Sequence, residues 1–133
     1  MALNKPYQAY QNNAVNTASG GELTLMLYNG CNKFIKQAIR DIQEKNMEAK
    51  NTNIQKAQAI IQELMITLDL EVEISKHIMP LYDYMNRRLM EANLKNDIEI
   101  LAEVQGFVVD FRDTWKQVIL KTRQKQYAQG EHV

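Results

Sequence analysis

Four stretches of the chain place apolar residues at alternating steps of three and four, the spacing that lines one face of an α-helix. The first carries Leu23, Met26, Leu27, Gly30, Cys31, Phe34, Ala38 and Ile42. The second carries Ile54, Ala57, Ile61, Leu64 and Leu68, and the third Ile74, Ile78, Leu81, Met85, Leu89 and Ala92. The fourth shows Leu101, Val104, Val108, Phe111, Trp115 and Val118. The polar segments "EKNMEAKN", "TLDLE" and "EANLKND" separate them. Connections this short make sequential helices antiparallel neighbours. The pattern predicts an all-α fold, an antiparallel four-helix bundle with an N-terminal extended or weakly helical arm. In that arm Gln8, Gln11, Asn12, Asn13 and Asn16 leave only Tyr7, Tyr10 and Val15 as sizeable apolar groups. The expected organisation is a single domain over 1–133, with a mobile arm at 1–18, the bundle at 19–123 and a frayed tail at 124–133.

The helix boundaries have chemical signals. Ser19 followed by Glu22 forms a capping box, in which the hydroxyl serves the N3 amide and the carboxylate reaches back. Asn96 is placed to cap the fourth helix, with Glu99 at N3. Gly30 costs about 1 kcal/mol relative to Ala inside a helix, which implies the close approach of a neighbour. Pro80 lies within the third pattern, where its missing N–H and its ring predict a kink or a later helix start.

Charge then removes several function classes. Sixteen Lys plus Arg balance sixteen Asp plus Glu. A chain without net charge lacks the field that nucleic acids and anionic membranes require. The cluster Lys121, Arg123 and Lys125 suits the negative end of a helix. The single cysteine, Cys31, has no internal disulfide partner and sits within a helical stripe, where it is expected to be a small buried residue in a reducing compartment. No apolar run approaches the ~18 residues of a membrane span, and the first residues lack the features of a secretory signal. These features point to the cytosol.

Catalytic chemistry lacks its parts. A di-metal bundle needs Glu-x-x-His pairs. The chain has two histidines, and His77 follows Glu73 by four positions, not three. No nucleophile elbow or Gly-rich phosphate loop occurs. In "SGGE" the Glu22 carboxylate would occupy the place of an anion. No enzyme activity, metal or cofactor is expected.

What remains is an excess of apolar surface. Ile100 and Phe107 lie beside the fourth stripe, Ile60 widens the second, and Tyr28 and Tyr84 add half-apolar groups. Seven methionines supply adaptable contacts. Such width fits a homodimer seam of a self-associating structural bundle, or a groove for helical or extended peptides. The wide arcs on the second and fourth helices favour the groove.

The stretch "TASGGELTLMLYNG", the preceding "YQAYQNNAV", "LYDYMNRRLMEAN" and "FVVDFRDTWKQ" together resemble the flagellar secretion chaperones that hold flagellin, the FliS family. The resemblance covers nearly the whole chain. Gly20 stands where the family commonly has Pro, which loosens the junction between arm and helix. Asn29 replaces the common Asp. The resemblance implies a bacterial cytosolic chaperone without enzyme activity. Its client would be the disordered C-terminal segment of flagellin, kept from premature polymerisation and delivered to the flagellar type III export gate. Regulators of flagellar genes are further candidate partners, and a homodimer is the alternative without client. For client contact the wide arcs nominate Ile54, Ile60, Leu64, Ile100, Val104 and Phe107. Tyr7 and Tyr10 are assigned to the arm, as groove plug or gate contact.

Overall fold

A computed structural model describes residues 20–131, with side chains described as far as Lys125. Tyr7, Tyr10, Val15 and the Ser19 cap lie outside the described residues. Four helices follow one another: α1 Gly20–Gln43, α2 Met47–Thr67, α3 Ser75–Lys95 and α4 Ile98–Glu131. Among the described residues there is no strand, and no helix is long and apolar enough to cross a membrane. The all-α bundle expected from the stripes is the observed fold.

The helices pack in a ring. α1 lies on α2 and α4, and α3 lies on the same two. Every contact pair runs antiparallel: Asn32 meets Gln105 while Gly21 meets Trp115, and Asp41 meets Asn53 while Cys31 meets Ala57. The core is continuous from Leu27, Cys31, Ile35 and Ala38 through Ile54, Ala57 and Ile61 to Met85, Leu89, Leu101, Val104 and Val108. Each such side chain contributes up to ~1.5–3 kcal/mol by leaving water, which is how helices too short to stand alone hold one another. Cys31 is fully buried against the Ala57 carbonyl, and burial pushes its thiol up to about 12, as fits a small core residue. Gly30 is buried as well.

Polar staples close one end of the bundle. Asp41, nearly fully buried, accepts from Asn53 Nδ2 at 2.7 Å and from Gln37 Nε2 at 3.1 Å. Lys50, buried on α2, donates through Nζ to the Asn93 carbonyl at 2.9 Å and to Asn96 Oδ1 at 2.5 Å. An ammonium there lies against the negative end of α3. Asn46 caps α2 by accepting from the Ala49 amide at 3.1 Å.

Three boundaries differ from the sequence expectation. Asn96 does not cap α4; it ends α3 in the left-handed conformation, φ 52°, and Asp97 takes the cap by accepting from the Ile100 amide at 3.2 Å. Asn tolerates that backbone well, and with only two residues between the helices one must end α3 and the other start α4. Pro80 does not delay α3, which starts at Ser75 and runs through it. The helix is entered through a turn in which Ser75, Lys76 and His77 each bond three residues back. Finally, α4 continues to Glu131 as helix instead of fraying from 124.

An apolar cleft at the open end of the bundle

Along α4 the apolar stripe passes from core to surface. Leu101, Val104 and Val108 are buried, Phe111 and Trp115 are partly buried, and Val118 is 42% exposed. The periodicity is unbroken, but past Val108 the partner helices cover it only in part. The uncovered part forms one wall of a cleft of about 500 Å³. Thr24 and Tyr28 of α1 face it, Ile78 and Tyr82 of α3 lie opposite, and Leu68 and Ile74 of the α2–α3 connection close one side. The volume falls in the ~300–1,000 Å³ range of ligand sites.

An aromatic cluster forms the floor. Tyr28 and Tyr82 sit on diagonally opposed helices whose backbones stay apart, and their hydroxyls meet across the bundle at 2.5 Å. Phe111 stacks on Tyr28 with ring centroids 5.9 Å apart, and lies tilted against Tyr82 at 5.4 Å. Burial raises the pKa of both tyrosines above the ordinary value, and the hydrogen bond from Tyr82 offsets part of the effect on Tyr28. Both are therefore neutral across the physiological range. Trp115 Nε1 donates to the Gly21 carbonyl at 2.7 Å, and Arg123 pairs with Glu22, so the far part of α4 is tied to the first turn of α1. Among the described residues the acids on the lining are Asp69 and Asp110, and no Lys, Arg or His contributes.

The expected contact residues divide. Phe107 lines the cleft, with its ring edge-on to Tyr84 at 6.2 Å. Ile54, Ile60, Leu64, Ile100 and Val104 are buried within the core, none of them more than 7% exposed, so the free protein offers almost none of their surface. The reason is geometric: a helix held in a ring touches two neighbours, so its buried arc is wide and absorbs residues that a two-helix seam would leave outside. Tyr7 and Tyr10 lie outside the described residues. Tyr28, expected as a half-apolar addition to the apolar surface, is 5% exposed. Tyr82, Ile78, Leu68 and Ile74 complete the cleft, and of these Tyr82 carried no stripe signal. The available clue was its position three residues before Met85 and seven before Leu89, one step from Leu81, which is exposed.

The chain matches the family model described as Flagellar protein FliS over residues 3–122. It is 56% identical over 130 residues to the flagellar secretion chaperone FliS of Bacillus subtilis, covering 98% of both chains. It is 36% identical over 110 residues to the namesake of Escherichia coli, covering 80% of this chain and 81% of that one. For the namesake of Salmonella typhimurium the identity is 38% over 108 residues, covering 79% and 80%. A bundle of this topology, with an apolar cleft and matches running end to end, belongs to the FliS family of flagellar secretion chaperones.

Proposed function

We propose that this chain is a cytosolic export chaperone whose client is the C-terminal segment of flagellin, with the cleft between α1, α3 and α4 as a principal docking site. The observation that supports the reading most directly is the apolar stripe of α4 passing from full burial at Val108 to partial cover at Phe111 and Trp115 and to 42% exposure at Val118, along the wall of the cleft. An amphipathic segment laid into that cleft completes the seam and hides its own apolar face. Covering that face keeps flagellin from assembling before export, and the loaded complex is then handed to the export gate of the flagellar type III apparatus. A client that is disordered when free orders only on docking, which lowers its affinity per unit of buried surface and makes its release easier.

Trp115 is the chain's single tryptophan and lines the cleft, so it reports occupancy without a label. Titrating a flagellin C-terminal peptide into the protein should change the Trp115 emission saturably, with light scattering giving one peptide per chain. No change, together with a stable homodimer insensitive to peptide, would mean that the cleft is a self-association face.

A further inference from the structure

We propose that the outer face of α1 is a second docking surface, separate from the cleft, which takes an acidic segment of a protein partner. α1 packs on α2 and α4, and Asn29, Lys33, Lys36 and Arg40 follow one another at steps of four, three and four along the side turned to solvent. All four are exposed, and with Asn32 and Gln37 they line a recess of about 290 Å³. Three cations and three amides surround it, and among the described residues no acid contributes. α1 has no acid between Glu22 and Asp41. Glu22 pairs with Arg123, and Asp41 is turned into the seam with α2, where Asn53 and Gln37 hold it. Lys56 of α2 brings a fourth ammonium to this side: Lys56 and Lys33 lie 5.4 and 5.9 Å from the centre of the Phe34 ring. Among the described residues none of Lys33, Lys36, Arg40 and Lys56 has an ion-pair partner.

Asn32 adds a donor that the fold itself holds in place. It is 7% exposed, and its Oδ1 accepts from Gln105 Nε2 of α4 at 3.1 Å. Its NH2 donates to no described residue. Among the described residues the one enclosed side-chain polar atom without a partner is Asn86 Oδ1, so Asn32 Nδ2 still reaches the surface, at the recess that Asn32 lines. A fixed N–H beside ammonium and guanidinium groups is matched by a carboxylate, which only accepts. Lys33 and Arg40 are about 10 Å apart along the helix axis. That length suits two or three carboxylates on one segment and is short for the field by which nucleic acids are held. An anionic membrane would need exposed apolar side chains beside the cations. Among the described residues the exposed large apolar side chains lie on α2, α3, α4 and the α2–α3 connection, and none is on α1. The cleft uses Thr24 and Tyr28 of α1, and neither lines the recess, so an acidic segment here leaves the cleft open.

The test is a nitrogen–proton correlation spectrum of the full chain, titrated with a short capped Ala/Gln peptide that carries three glutamates at steps of three and four, and with its all-glutamine counterpart. The glutamate peptide should shift the Asn32 side-chain NH2 signals and the backbone signals of residues 29–40, and the glutamine peptide should not. Replacing Lys33, Lys36 and Arg40 together by Gln should weaken binding about tenfold, the combined effect of three exposed ion pairs. Asn32→Asp keeps the acceptor for Gln105 Nε2 and places a carboxylate in the recess, so it should weaken binding about threefold. Melting curves establish that both variants are folded, and the comparison of the two peptides on the wild type decides even if one is not. If the glutamate peptide moves no α1 signal, or the glutamine peptide moves the same signals equally, the inference is overturned. Shifts confined to the cleft, with Trp115 emission changing and Asn32 silent, would overturn it as well. So would tighter engagement of residues 29–40 by a single-stranded oligonucleotide or by phosphatidylglycerol vesicles, which would assign this face to another class of partner.

Discussion

Lys50 of α2 reaches across to the last turn of α3 and donates to both the Asn93 carbonyl and Asn96 Oδ1. Two helices are thereby fastened at the point where the chain turns into α4. Replacing Lys50 by Met removes the ammonium and leaves the carbonyl at the α3 terminus without its donor. Stability should drop by about 1–3 kcal/mol, the cost of an unmet buried polar group. Asn96 separates the two parts of the staple. Asn96→Gly keeps the left-handed backbone and loses only the side-chain acceptor, whereas Asn96→Ala loses both. Urea melts should rank the losses Lys50→Met and Asn96→Ala above Asn96→Gly.

At the opposite end the Trp115–Gly21 bond holds α4 against the first turn of α1. Trp115→Phe deletes the donor but keeps an aromatic wall. The expected loss is about 1 kcal/mol, with faster hydrogen exchange confined to the first turns of α1. Exchange that speeds equally throughout the bundle would show that this contact is no local tie.

Core and cleft positions on α4 should respond in opposite ways to a charge. Phe107→Asp leaves the carboxylate in reach of water at the cleft edge, so the fold should persist and peptide binding should fall at least tenfold. Ile100→Asp buries a charge without a partner and should cost about 4 kcal/mol or more. Circular dichroism and the Trp115 titration read the two effects separately. A well-folded Ile100→Asp variant would contradict the core assignment.

Alkaline pH should weaken the bundle. Burial raises the pKa of Tyr28 and Tyr82 above 10.0 and that of Cys31 from 9.0 to about 12. A group that holds its proton more tightly folded than unfolded contributes fully below its unfolded pKa. That contribution fades as pH rises toward the folded value. Stability should thus be flat from neutrality to about pH 9, then fall by about 1.4 kcal/mol per pH unit for each group engaged. Cys31→Ala should move the onset to about pH 10, and Y28F/Y82F should remove the tyrosine part of the slope.

For the arm, deleting residues 1–17 should raise the rate of peptide association in stopped-flow mixing if Tyr7 and Tyr10 compete for the cleft. Loss of peptide binding would make those tyrosines part of the client site instead.

The stripes were legible because a buried helix face leaves a period that no other structure imitates, and Leu101, Val104 and Val108 lie where that period puts them. The cleft was only half legible. The same unbroken period runs through Val108 and Val118, and nothing in the residues marks where the covering helices stop. Ile60 and Ile100 looked like surplus because periodicity records a direction around one helix and not the number of neighbours. Lys50 and Asp41 were invisible: a charged residue reads as surface unless its partners, forty or more residues away for Lys50, are known to arrive. Asn96 and Asp97 are both good caps, and only the two-residue connection decides their order.

The connections between helices are unequal. Residues 44–46 join α1 to α2 and residues 96–97 join α3 to α4, both at the end fastened by Asp41 and Lys50, whereas residues 68–74 join α2 to α3 beside the cleft. Mechanically the molecule is a clamp with a rigid base. A segment too wide for the cleft cannot be accommodated by shifting helices at the stapled end, where two or three residues span each gap. The slack lies in the seven-residue connection that holds Leu68 and Ile74 against the opening. Shortening that connection should therefore narrow the range of segments accepted before it affects the stability of the bundle.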